Sequence, residues 1–301
     1  MPATDGTSAS LTCPACTGTV VRAYPASRKT GHVVAGCVTC GTHWLANPSA
    51  AEQIVGNYDY DRTFYEMYVN AKRADSLDRD CRSALHRIDE LIESGGRALF
   101  DLGAGAGEFL VLAREFGYEP HGNELAAGAI EMARDNAGIE LHVGEVATMD
   151  GENLYDAVTM WCVLAHVADP DDLLRQTLRI LKPGGVLFLQ TPRWSAMDRA
   201  ALRAARSSRG RLSRVLDRRL NDMHMTLYSS RGLTARARRI GFEVVEIHSR
   251  VRYSLKTHEY LRSLGMPPRT SDAVARALDV AVDRDLFFRN VLDMYARKPR
   301  T

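Results

Sequence analysis

Two stretches of this chain carry residue types at spacings that can do chemistry. The first is the pair "CPAC" (Cys13, Cys16) and "CVTC" (Cys37, Cys40), a C-x2-C-x20-C-x2-C arrangement. Each pair can bite one side of a metal ion. Four thiolates together close a tetrahedral zinc site with no open position, so the site is expected to be structural. A redox dithiol is the alternative the same spacing allows. His43 lies three residues past Cys40 and is expected to face solvent, because four cysteines already suffice. The second stretch is "FDLGAGAGEFL", residues 100–110, in which Gly103, Gly105 and Gly107 follow a short apolar run. Glycines there permit a tight turn and a close approach of backbone to ligand.

The loop alone is unspecific, and its flanks narrow the ligand. The spacing is G-x-G-x-G, and Asp101 and Glu108 stand beside it. Two carboxylates repel a pyrophosphate and tolerate a cation. No G-x-x-x-x-G-K-[ST] run occurs, which excludes a P-loop. Glu124, about 20 residues on, is placed to accept hydrogen bonds from ribose hydroxyls. A sulfonium, an ammonium and a ribose without phosphate meet these conditions, so S-adenosylmethionine is the expected cofactor. An ordinary strand-to-helix turn is the competing explanation of the glycines.

The elements that must position these groups read as alternating strands and helices. "RALFDLG", "EPHGNE", "IELHVGE", "YDAVTMWCVL" and "VLFLQTP" read as strands. "GEFLVLAREFG", "AAGAIEMARDN" and "PDDLLRQTLRILKPGG" read as the helices between them. That rhythm predicts a parallel α/β sheet with helices on both faces and a ligand at the carboxyl ends of the strands. Residues 49–93 read as helical, with Leu77, Cys81, Leu85 and Ile88 at helical spacing. After Pro192 the rhythm breaks into an arginine-rich helical segment, then helix "SRGLTARARRIG", strand "FEVVEIHS", a further helical stretch and a last strand "NVLDMYARKP". The expected division is a ribbon over 1–48, a helical cap over 49–94, and a cofactor-binding domain over 95–301 with helical insertions near 193–225 and 256–288.

"LFDLGAGAGEFL", "GNELAAGAIEMAR", "YDAVTMWCVLAHVADPDDLLRQTLRILKPGGVLFLQTP" and "HMTLYSSRGLTARARRIGFEVVE" occur in that order. Together they resemble the successive motifs of class I S-adenosylmethionine-dependent methyltransferases. The resemblance covers roughly residues 95–250. It points to the branch that includes the quinone-biosynthesis O-methyltransferases and many natural-product enzymes, and "CGTHWLANP" resembles the ribbon that precedes some of them. The resemblance implies a Rossmann-like fold. It implies that Asp101, Gly103, Gly105 and Gly107 line the methionine and ribose portions of the cofactor, and that Glu124 binds the ribose. Glu145 would meet the adenine amino group, with Met160 and Trp161 beside the bound cofactor. The branch often has an acidic residue where Cys162 stands and Glu-His where this chain has Ala165-His166. That departure puts a carboxylate-assisted base in doubt.

Candidates for the acceptor side are His166, His224 and the tyrosines Tyr58, Tyr60, Tyr65 and Tyr68. Each histidine is a base, an acceptor-orienting group or a structural loop residue. The tyrosines are read as helix packing, with one at the cofactor mouth. Residues 193–219 carry nine arginines, with Leu212, Leu216 and Leu220 on the opposite helix face from Arg211, Arg214 and Arg218. They form a solvated lid face, or meet an anionic or carrier-bound acceptor, or contact RNA backbone.

The 301 residues are 45% hydrophobic and 25% charged, with a net charge of +2, so no global field argues for nucleic acid. There is no run of membrane-span length and no secretory leader pattern, so a cytoplasmic enzyme is expected. The expected activity is methyl transfer to a small molecule of secondary metabolism. An RNA base methyltransferase is the second reading, and a cofactor-binding protein with lost catalysis the third.

Overall fold

The computed structural model describes residues 12–48, 62, 63, 66, 74–93, 95–222, 224–252, 256–263, 265–284, 286 and 288–300. Tyr58, Tyr60, Tyr65 and Tyr68 lie outside the described residues. The chain begins with β1 (Val21–Pro25), β2 (Val33–Cys37) and β3 (His43–Leu45), followed by α1 (Ala74–Leu91). The alternating part holds β4 (Ala98–Leu102), α2 (Glu108–Glu115), β5 (Glu119–Glu124), α3 (Ala127–Ala137) and β6 (His142–Val143). It continues with β7 (Tyr155–Trp161), α4 (Pro170–Ile180) and β8 (Leu181–Pro192). Two lid helices follow, α5 (Ala196–Ser207) and α6 (Arg214–Arg219), and then β9 (Thr226–Leu227) and α7 (Ser230–Ile240). The chain closes with β10 (Glu243–Arg250), α8 (Thr257–Ser263), α9 (Pro268–Asp283) and β11 (Val291–Arg297).

The main sheet has seven strands in the order β10-β11-β8-β7-β4-β5-β6. β4 through β8 run parallel, and β11 is antiparallel to both of its neighbours. The chain builds outward from β4 to β6, then crosses back to β7 and builds the other way. The reversal opens a crevice at the carboxyl ends of β4 and β7, where ligands bind in sheets of this kind.

Local chemistry explains the boundaries. α4 starts at Asp169, whose carboxylate accepts from the Asp171 and Asp172 amides, with Pro170 in the first turn. α3 ends at Gly138 and α7 at Gly241, both left-handed. β7 and β8 are buried along nearly their whole length, as central parallel strands must be. Cys81, Ala84, Leu85, Ile88 and Leu91 give α1 one buried face, packed with Leu99 and Phe188 of the sheet.

Two expectations change. The third strand, read over 139–145, shrinks to His142–Val143, an edge strand paired on one side only and with Val143 exposed. The cysteine unit forms a four-stranded sheet in the order β1-β2-β3-β9, so its last strand comes from residues 226–227. Behind it Ala26 and Val34 share a core with Trp194, Leu202, Leu216 and Leu220 of the lid. No helix among the described residues is long and apolar enough to cross a membrane.

Candidate active site and metal centre

Cys13, Cys16, Cys37 and Cys40 converge from two turns, with all four Sγ atoms within 4.8 Å of one another. Sγ of Cys13 and Cys40 lie 3.7 Å apart, and those of Cys16 and Cys37 3.6 Å apart. A tetrahedron with Zn–S bonds of about 2.3 Å has an edge of about 3.8 Å, so the cluster fits zinc. The backbone is already arranged as a knuckle: the Gly41 amide donates to Cys37 O, and the Cys40 amide reaches Cys37 Sγ. His43 departs from the solvent-facing expectation. Its ring stacks on Trp194 with centroids 3.8 Å apart, and burial lowers its pKa to about 4.

At the crevice, Gly103, Gly105 and Gly107 all take positive φ, which a side chain would strain. A Cβ on Gly103 would lie 2.8 Å from Val163 Cγ2, so the loop after β4 faces the loop after β7 at contact distance. Glu124, at the end of β5, organises this loop. Its Oε2 accepts from the Gly105 amide at 2.9 Å, and its Oε1 from the Leu125 and Ala126 amides at 2.7 and 3.1 Å. Asn123 is a positioning residue that the sequence did not reveal. Its carbonyl accepts from the Ala104 amide, its Oδ1 from the Gly103 amide, and its Nδ2 donates to Gly144 O. It thereby ties the glycine loop to the turn that holds Glu145, which is exposed.

Asp101 faces inward and accepts from Thr159 Oγ1 at 2.6 Å. Burial, against the pull of that hydrogen bond and with help from the nearby Glu124 charge, pushes its pKa up to about 8. Met160 is fully buried with Phe100 and Leu102 in the core, so it presents no side chain to the crevice. Trp161 packs instead against Phe109 and Phe188, and its buried Nε1 has no hydrogen-bond partner among the described residues. A glycine cradle, the Glu124 carboxylate at its rim, and an indole donor without a partner among the described residues fit an adenosine cofactor that carries a cation.

The two candidate histidines, 58 positions apart in sequence, meet in space: the His166 and His224 ring centroids are 4.5 Å apart. His224 is held down to about 3, first by burial and then by the charges of His166 and Arg219. Cys162 takes a left-handed φ of 62°, its amide donates to Gln190 O, and its Sγ reaches Gln190 Oε1 at 3.6 Å. Burial raises its thiol to about 11, so it offers no nucleophile at neutral pH.

Gln190 leads into a polar network that sequence reading missed. Gln190 Nε2 donates to Asp293 at 2.9 Å, and Arg252 bridges Asp293 and Asp80, each at 3.1 Å. The Arg252 guanidinium also lies 5.9 Å from the Trp161 ring. The available signal was Asp293, an acid in the middle of an apolar strand. The arginine-rich insertion also divides. Arg219 turns inward to the fully buried Asp198, while Arg199, Arg203, Arg206, Arg209, Arg211, Arg214 and Arg218 are exposed. Leu212 precedes α6 and is 65% exposed, so only Leu216 and Leu220 form the buried face expected of three leucines.

Comparison with known proteins decides the family. The methyltransferase domain family matches residues 72–247, more than half of the chain. The chain belongs to this family. Its fold is the class I S-adenosylmethionine-dependent methyltransferase fold, with the ribbon added at the N-terminal end. A ubiquinone biosynthesis O-methyltransferase of Xanthomonas oryzae is 30% identical over 114 residues, which cover 36% of this chain and 48% of that one. The chain thus spans about half the length of the curated relatives it matches. Among solved structures, the [4+2]-cyclase SpnF superposes with a TM-score of 0.55 at 19% identity, over 84% of this chain and 98% of that one. Phosphoethanolamine N-methyltransferase 2 of Haemonchus contortus, in complex with S-adenosyl-L-methionine, does so at 0.52 and 15% identity, over 85% and 62%. At such identities the superpositions speak for the fold. In this methyltransferase domain the loop that carries His166 meets the glycine loop through Val163, and His224 lies beside His166.

Proposed function

We propose that the chain moves a methyl group from S-adenosylmethionine to a small-molecule acceptor by in-line displacement. One observation carries the reading. The loop after β4 and the loop after β7 face each other at the switch point, with His166 on the second and the neutral His224 beside it. The cofactor, when bound, supplies an electrophilic methyl group on a sulfonium. Gly103, Gly105 and Gly107 give it close backbone approach, Glu124 takes the ribose hydroxyls, and Glu145 takes the adenine amino group. Trp161 walls the crevice. His166 and His224 accept or orient the proton of the acceptor. The cysteines Cys13, Cys16, Cys37 and Cys40 hold zinc as a structural ion, and thiols kept for metal suit a reducing, cytoplasmic location. We also propose the division into a ribbon (1–48), a cap (49–94) and a catalytic domain (95–301).

The finer reading is an anionic acceptor from natural-product metabolism, free or borne on a carrier. It is supported by the lid, where both acids turn inward. Asp198 pairs with Arg219, and Asp217 accepts from Ser27 and Ser213. The exposed charge of α5 and α6 is therefore all positive. The same face gives RNA a second reading, because Arg28 of the ribbon abuts Gly210 of the lid and extends it. Few aromatics stand on this face to stack bases, which favours the small molecule. Purified protein with labelled cofactor, offered a metabolite extract and total RNA in parallel, tests both. Label in the metabolite fraction alone is the expected result, and label in RNA overturns it.

Asp101 gives this reading a pH signature. Below about 8 the carboxyl is mostly protonated. A bound cation favours the ionised form, so cofactor affinity should rise from pH 6.5 to 8.5, by at most about tenfold per unit. Calorimetry across that range checks it, and Asp101→Asn should flatten the dependence. An equally steep dependence in the variant removes Asp101 as its source.

A further inference from the structure

The hydrogen bonds leaving residues 12–48 run to residues 210–239 among the described residues, on the acceptor side of the molecule. Their endpoints are specific. β3 pairs with β9 in the register His43 to Leu227 and Trp44 to Thr226. Just before β9, Met225 O accepts from the Leu45 amide at 2.9 Å, while the Met225 amide donates to Ala165 O, also at 2.9 Å. Met225 directly follows His224, and Ala165 directly precedes His166. One residue therefore joins the ribbon's edge strand to both histidine loops.

The metal knuckle clamps the other end of the same segment. Ser229 Oγ donates to Cys40 O at 2.5 Å, and the Ser229 amide reaches Thr42 Oγ1 at 3.3 Å. Ser229 also caps α7. A Cβ on Gly232, in the first turn of α7, would lie 2.0 Å from Thr42 Oγ1 and 3.2 Å from Cys40 Sγ, so helix and knuckle touch. The first knuckle is held as well: buried Arg236 donates to Pro14 O and pairs with Asp171 at 3.4 Å.

We infer that the four-cysteine ribbon is a positioning element for the acceptor side: through Met225 and Ser229 it sets the separation of His166 and His224. Its metal then governs the order of segments 163–168 and 221–229 and leaves the glycine loop alone. Two short strands joined by a few hydrogen bonds do not hold a register by themselves, and a closed thiolate site supplies the missing rigidity. The inference rests on the methyl-transfer reading only for what the two histidines do, not for how they are held.

The test uses the full chain, with and without a chelator, and reads deuterium uptake by peptide together with cofactor affinity by calorimetry. Metal removal should speed exchange at 163–168 and 221–229 about tenfold or more, with 98–124 and cofactor affinity little changed. Loss of protection confined to 12–48 overturns the inference. Should the stripped chain lose protection throughout, Ser229→Ala with its zinc retained decides. Faster exchange at 163–168, which Met225 ties to the ribbon, supports the inference, and wild-type exchange there overturns it. No acceptor enters these readouts, so their failure is distinct from failure of the methyl-transfer reading.

Discussion

Glu124→Ala is expected to weaken S-adenosylmethionine binding by about two orders of magnitude, read by calorimetry. The carboxylate has two tasks. It accepts three backbone amides, from Gly105, Leu125 and Ala126, and so fixes the glycine loop against the start of α3. In the proposed reading it also takes the ribose hydroxyls. A hydrogen bond to a charged group is worth about 1.5–3 kcal/mol net. Water will meet some of the released amides, because this corner is half-exposed. A net loss of about 3 kcal/mol remains, which is roughly a hundredfold. Glu124→Gln should lose nearly as much, since its NH2 group would be turned toward an amide that also donates. Thermal stability should fall little in either variant, because the core beneath the loop is untouched. A Gln variant that binds the cofactor within about threefold of wild type would show that the charge organises nothing, and the ribose assignment would fall with it.

The glycine loop and the sheet were legible because their signals are local. A strand, a glycine turn and a helix announce themselves within a dozen residues, and Glu124 follows at a spacing that one βαβ unit fixes. The four cysteines were legible for the same reason. Asn123 was not, since its three hydrogen bonds depend on where β5 ends relative to β4 and β6. The Asp80–Arg252–Asp293–Gln190 network was hidden more deeply. Its members come from α1, the turn after β10, β11 and β8, and only the antiparallel register of β11 brings Asp293 opposite Gln190. The lid misled in one place. Helical spacing placed Leu212 with Leu216 and Leu220, yet Gly210 ends the preceding turn at φ 79° and α6 starts only at Arg214. The ribbon's fourth strand, two residues long, is too short for any periodic pattern. It exists because Leu45 and Met225 need backbone partners at a buried edge.

His224→Asn and His166→Asn should each lower kcat/KM for the acceptor by about 10²–10⁴ while leaving cofactor affinity within about twofold. The histidines come from the segments after β7 and before β9 and not from the glycine loop, so binding of the first substrate should change little. Burial, His166 and Arg219 hold His224 down to about 3. It is therefore neutral throughout any ordinary assay range, a weak base that holds the acceptor's proton through a hydrogen bond more readily than it removes it. The sign for stability follows from the same shift. The unfolded chain protonates this residue below about 6.5 while the folded chain does not, so its contribution is intact above that pH and is lost progressively toward pH 3. Two imidazoles this close also resist double protonation, so one of them stays in the base form when the other takes the acceptor's proton. They should act as a unit, and the double variant should be little worse than either single one. Single variants that keep turnover within about threefold would assign the pair to loop packing and leave the acceptor to lose its proton directly to water.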